Sequence, residues 1–235
     1  LFLSALTTIT GSLEKAVQAS SQVLSVQGQV IPATGIDVML WAELEDGEKI
    51  FGESLIGKSV KPISRIGCLP ENPPALKNAI EAIKEADLIV LGPGSLYTSL
   101  LPNLLVPEIV EELLKNNSPK IYISNLMTQP GETDGLDVYQ HIKSIEKQLF
   151  NFGVNTRIFN AILSQGEFEG SSLIDYYRSR GAEPVICNKK RLVSEGYHVL
   201  QAPLYSKRIT PTLRHDYRRL ARAVMYLYKK IKKAS

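Results

Sequence analysis

Leu88–Pro107 reads LIVLGPGSLYTSLLPNLLVP. The apolar run Leu88–Leu91 stops at Gly92-Pro93-Gly94, three hydroxyl residues and a tyrosine follow, and a helix-like pattern resumes at Leu104. Such a run bounded by glycine and proline predicts a buried strand, a tight loop and a helix start. A strand-to-helix junction leaves backbone N–H groups unpaired, with the positive end of the helix dipole behind them. A phosphate or carboxylate is the expected occupant, so this stretch predicts an anion-binding, nucleotide-binding α/β protein.

Strands and helices alternate on both sides of this loop. Upstream, Pro73-Pro74 opens a helix on which Leu76, Ala79, Ile80, Ile83 and Ala86 recur at helical spacing. Further back, Val38, Leu40, Ala42 and Leu44 alternate with Met39, Trp41 and Glu43, Asp46-Gly47 turns the chain, and 49–53 returns as a hairpin. Strands are also expected at 23–30 and 63–68. The N-terminal LFLSALTTITG reads as a core helix, with a second helix capped by Ser12. Downstream, 120–125, 157–163, 183–187 and 197–200 read as strands, and helices are expected around 109–114, 141–149, 172–180 and from Thr210 onward. Leu213, Tyr217, Leu220, Ala221, Val224, Leu227, Tyr228 and Ile231 form the apolar stripe of the last helix. This alternation predicts an α/β fold, one domain over 1–235 with two as the alternative, with a mostly parallel sheet, helices on both faces and a β-hairpin. Ligands of such sheets bind at the carboxyl ends of the strands. The loops at 92–99 and 125–135 both follow strands and are expected to share one edge.

The composition suits such a fold. The chain has 235 residues, 44% hydrophobic and 22% charged, with a net charge of +3. A domain of this length buries roughly 70% of its unfolded surface. Cys68 and Cys187 have no metal-ligand spacing and read as reduced thiols of a cytoplasmic protein. No apolar run reaches the roughly 18–20 residues of a membrane span. Charge is uneven: residues 207–235 carry ten Lys or Arg against Asp216, leaving the remainder at −6. The basic end suits a helix C-terminus. With no aromatic platform interleaved, nucleic acid is not expected as a partner.

In the first loop, Ser95, Thr98 and Ser99 can donate to phosphate oxygens, Gly92 and Gly94 free the backbone, and Tyr97 offers a ring to stack on a base. The loop lacks the third glycine of a dinucleotide fingerprint and the Gly-Lys-Ser/Thr of a P-loop. In the second, Asn125, Thr128 and Gln129 suit a base edge or sugar hydroxyls. Glu132 and Asp134 suit a general base or metal ligand; alternatively Asp134 caps the next helix. Arg214, in Arg214-His215-Asp216, stands where the helix dipole disfavours a cation, so a phosphate is one candidate partner and an ion pair the other. His141 and His198 read as ordinary structural residues.

LIVLGPGSLYTSLLPNLLVPEI, ISNLMTQPGETDG, LRHD, the weaker VLSVQGQVIPAT and the GES of Gly52–Ser54 together resemble the YvcK-type gluconeogenesis-factor family, which is related to the 2-phospho-L-lactate transferases (CofD). The resemblance implies a Rossmann-like fold, a cytoplasmic bacterial protein, binding of UDP-sugars and a regulatory role in carbon metabolism and cell shape. It implies that Gly92, Gly94, Ser95, Tyr97, Thr98, Asn125, Thr128 and Gln129 face the ligand, with Arg214 on its phosphate. The family's glycine-rich first strand–loop–helix and its acidic Asp-Asp-Gly-Gly segment are not in this sequence, so further N-terminal βα units are expected in the longer protein. The alternative is a phospho-group transferase. That reading alone calls for a divalent metal, and no catalytic residue is assigned. Oligomeric state is open, a homo-oligomer among the options.

Overall fold

The computed structural model describes residues 2–23, 28–59, 61–168, 172–206 and 212–234. Its centre is a four-stranded parallel sheet, β4 (Ile89–Leu91), β5 (Lys120–Ile123), β6 (Ala161–Gln165) and β7 (His198–Ala202), in spatial order β4-β5-β6-β7. Register is continuous: Val90 pairs with Ile121, Ile121 with Ala161, and Ala161 with His198. β5 and β6 are buried along their whole length, the expected state of inner strands covered on both faces.

Each face has its own helices. On one, α6 (Val138–Phe150) buries Ile142, Ile145 and Leu149 against Tyr122 and Ile162, together with α5 (Pro107–Lys115). On the other, α9 (Tyr217–Ala234) places Ala223, Leu227 and Ile231 against Ile121, Ile123 and Leu163. Each large apolar side chain so covered stabilises the fold by about 1.5–3 kcal/mol. Alternating strand faces divide the contacts: Tyr122 and Ile162 look to α6, Ile121 and Leu163 to α9. α6 starts at Asp137, which accepts from the Gln140 N–H while the Gln140 side chain bonds back.

The hairpin, β1 (Met39–Leu44) and β2 (Lys49–Phe51), gains a third antiparallel strand, β3 (Ile63–Leu69). Ala42, Leu44, Ile66 and Cys68 face the core, and the Trp41 ring covers Gly67 so closely that a Cβ there would lie 2.2 Å from it. Gln148 of α6 ties this sheet to the parallel layer. Its Oε1 accepts from the Ile66 N–H at 3.2 Å and its Nε2 donates to the Ile66 carbonyl at 3.1 Å. It thereby satisfies backbone groups on the edge of β3 that face no further strand.

The remaining helices are α1 (Phe2–Thr10), α2 (Leu13–Val23), α3 (Glu53–Ile56), α4 (Lys77–Lys84), α7 (Ser172–Arg178) and α8 (Lys189–Ser194). Several expectations change. α1 forms but buries none of its side chains, so it is not a core helix here. The strand expected at 23–30 does not form over the described part, since Val23 ends α2, and 24–27 lie outside the described residues. Residues 183–187 make one bridge, Met127 to Pro184, rather than a strand, and α8 follows unannounced. The last helix begins at Tyr217, its side-chain cap Asp216 accepting from the Arg218 and Arg219 N–H groups. Cys68 and Cys187 are free thiols. Among the described residues no helix is long and apolar enough to cross a membrane.

Candidate functional site

β4 and β5 are parallel neighbours, so the loops after them leave the same edge of the sheet. Gly92 makes the first turn with φ of +98°, and a Cβ there would lie 2.5 Å from the Ile123 carbonyl oxygen. Only glycine fits both the backbone angle and the approach of β5. Beyond it, the chain does not enter a long helix. Leu96–Leu100 is one π-helical turn, Leu101–Leu105 a 3₁₀ turn, and α5 starts only at Pro107. Leu96, Leu100, Leu101, Leu104 and Leu105 are all buried, and packing them into the core holds this irregular path.

The polar groups expected to meet a ligand meet one another. The Gly94 N–H donates to Asn125 Oδ1 at 3.2 Å, Asn125 Nδ2 donates to Gln129 Oε1 at 3.5 Å, and Gln129 Nε2 donates to Ser95 Oγ at 2.7 Å. Thr98 Oγ1 donates to Glu132 Oε1 at 3.3 Å, and the Tyr97 N–H also donates to that carboxylate. The Ser99 and Leu100 N–H groups turn back to the Ser95 carbonyl. The two loops are therefore one latched unit. Gly94, Ser99 and Leu100 thus spend their N–H groups inside the loop pair, and the chain's own Glu132 carboxyl lies against the turn.

Glu132 is buried, and its Oε2 has no hydrogen-bond partner. Burial holds its carboxyl above the usual carboxylate range; the Tyr97 N–H and Thr98 hydroxyl oppose that, and the charge of Glu53 adds to it. Preceding it, Gly131 has φ of +84°, and a Cβ there would lie 1.7 Å from the Ser59 carbonyl oxygen. Asp134 closes this turn by accepting from the Gly131 N–H at 2.7 Å; Asp137, not Asp134, caps α6.

Two expected contacts point elsewhere. Tyr97 is 5% exposed, its hydroxyl donating to the Ile63 carbonyl at 3.2 Å. Its ring is a core group and offers no face to a base. Thr128 is 4% exposed; its N–H donates to the Glu183 carbonyl at 2.7 Å, and its Oγ1 accepts from the Glu183 N–H at 2.8 Å. It pins the second loop to the chain beyond α7. Gly92, Gly94, Ser95, Thr98, Asn125 and Gln129 come together, and Ser95, Asn125 and Gln129 are the half-buried side chains that form the latch.

Arg214 is exposed and lies before α9 rather than within its first turn. Its segment is held from several sides. The Leu213 N–H donates to Tyr177 Oη at 3.1 Å, the Asp216 N–H to the Leu204 carbonyl at 2.7 Å, and His215 bridges to Tyr205. The His215 ring lies beside the Ser124 backbone, one residue before Asn125. The Arg214 segment thus runs next to the strand end carrying the latch. Burial lowers the His215 pKa, with the Ser124 backbone opposing. Sequence reasoning passed over His215, and also over Ser124 and Ser164. These serines follow the paired Ile123 and Leu163 and are fully buried; the Ser124 hydroxyl has no partner, and that of Ser164 lies beside the Cys187 thiol. The available signal was a serine closing each apolar strand, KIYIS and AILSQ. Among the described residues no three His, Cys, Asp or Glu side chains are grouped to hold a metal ion.

This fold and loop pair recur in known proteins. The family model for 2-phospho-L-lactate transferase CofD matches residues 1–205. A gluconeogenesis factor of Bacillus subtilis is 38% identical over 229 residues, covering 97% of this chain and 70% of that protein. Another, from Halalkalibacterium halodurans, is 38% identical, covering 96% of this chain and 68% of that protein. A longer relative from Nostoc is 45% identical over 228 residues, and the chain spans about half of its length. A crystal structure of a UPF0052 family protein from Bacillus halodurans superposes with a TM-score of 0.87 at 37% identity, covering 95% of this chain and 70% of that one. With the parallel sheet, the latched loop pair and these relatives in agreement, the chain belongs to the CofD family, on its gluconeogenesis-factor side.

Proposed function

We propose that the protein binds a phosphate-bearing nucleotide ligand, a UDP-sugar, at the carboxyl edge of β4 and β5. We further propose that it acts through that binding as a cytoplasmic regulator of carbon metabolism and cell shape. One observation carries the reading: two loops from adjacent parallel strands are latched into one polar platform where such sheets bind nucleotides. Because the loop amides with assigned partners are engaged, charge recognition falls to the exposed Arg214 guanidinium, which can take a diphosphate bidentately. Ser95, Asn125 and Gln129 supply neutral donors and acceptors for base or sugar. The test is thermal stability of the full-length protein against a panel of UDP-sugars. At a hundredfold excess over the dissociation constant, binding adds about 2.7 kcal/mol; no shift with any of them refutes the reading.

Glu132 favours a second reading, phospho-group transfer. A buried carboxyl with a raised pKa and one free oxygen, set against the first loop, suits a proton acceptor. Turnover of a phosphate-bearing substrate that is lost in Glu132→Gln supports transfer. UDP-sugar binding without turnover supports the regulator.

A further inference from the structure

α9 is 18 residues long and contains seven Lys or Arg and no Asp or Glu. Ala223, Leu227 and Ile231 turn it toward the sheet. At about 100° per residue, Arg218, Arg222, Met225, Lys229, Lys232 and Lys233 line the opposite side, and all six are exposed. The stripe runs straight for roughly 22 Å at 1.5 Å per residue. Its centre is not cationic. Met225, 47% exposed, sits in the middle of the charges, with Tyr226 at their margin. At its far end Lys232 also borders a hollow shared with Lys84, Glu112 and Asn160.

We propose that this outward face of α9 docks on an anionic lipid surface. Arg218, Arg222, Lys229, Lys232 and Lys233 along one side of the helix suit a layer of acidic headgroups, each adding to the attraction. A thioether and a phenol among them suit the headgroup boundary, where an apolar side chain can sink while its cationic neighbours stay in water. A nucleic-acid strand favours the other pattern: a groove that follows its phosphates and aromatic faces that stack its bases. The opposite, apolar side of α9 remains on the sheet, so docking needs no unfolding. The helix also starts beside the candidate site, because Asp216 caps it and His215 lies beside Ser124.

The test is co-sedimentation of the full chain with vesicles of phosphatidylcholine alone or with about one-third phosphatidylglycerol. Binding to the acidic vesicles only is expected, falling at least about tenfold when salt rises from roughly 0.1 to 0.5 M. The double variant Arg222→Glu/Lys229→Glu should lose at least about tenfold in partitioning, with the melting temperature unchanged. Met225→Ser, which leaves the charge alone, should weaken vesicle binding severalfold. No binding to acidic vesicles overturns the proposal. So does retention by the double variant, indifference to Met225→Ser, or tighter binding to a single-stranded RNA oligomer than to vesicles.

Discussion

Gly92→Ala tests whether the approach of β4 and β5 fixes the loop. Two costs can be separated. The backbone angle of +98° is one that L residues rarely adopt, and forcing alanine into it costs about 1–2 kcal/mol. The added methyl also meets the Ile123 carbonyl at 2.5 Å. That oxygen belongs to a buried inner strand and cannot swing aside, so overpacking costs about 1–3 kcal/mol more. The total, about 2–5 kcal/mol, lowers the melting temperature of a protein this size by roughly 5–15 °C. Gly135→Ala is the control: φ is +69° there, with nothing within 4 Å of the new methyl, so only the smaller angular cost applies. Circular dichroism melts of wild type and both variants measure the difference. A drop under about 2 °C in Gly92→Ala, or equal drops in the two variants, refutes the argument that strand approach demands glycine.

Gln148→Leu keeps the volume but strands the Ile66 N–H and carbonyl at the β3 edge; urea unfolding should show a loss of about 2–6 kcal/mol, at about 1–3 per unsatisfied group. Burial holds the Glu132 carboxyl above its ordinary 4.5, so folding favours its protonated form relative to the unfolded chain. Its contribution is full below 4.5 and is lost as pH rises through the folded value, and Glu132→Gln should flatten that part of the stability–pH curve. His141 and His215 show the opposite sign: both are lowered from 6.5 by burial, so their contribution is present above 6.5 and lost as pH falls through the folded values. Melts across pH 5–8 of wild type against a His215→Gln variant check this. Arg214→Ala should abolish UDP-sugar stabilisation and leave the unliganded melting temperature within about 2 °C, as suits an exposed side chain.

Much of the layer architecture was legible because its signals are local. Helical spacing across 141–149, and the apolar stretches within the strands expected at 120–125 and 157–163, each suffice without partners. Position 183–187 misled because a short mixed run reads as a strand, while the chain there spends its backbone bonds on Thr128 and Leu126 instead. The site was legible in membership but not in use. Glycine, serine and asparagine at 92–129 marked the right loops, yet sequence spacing cannot reveal that Gly94 bonds Asn125 or that Glu132, 34 residues from Thr98, supplies the negative partner. Tyr97 misled for the same reason, since whether a ring faces solvent or core depends on the turn type, and a π-helical turn puts it inward.

With Glu132 seated on Thr98 and Asn125 on Gly94, the chain's own side chains fill two of the positions a small anion could take at the turn after β4. Free sulfate or inorganic phosphate has to compete there with resident groups. Discrimination among incoming molecules then rests on whatever reaches outward past the bend, so selectivity can drift between relatives without rebuilding the turn itself.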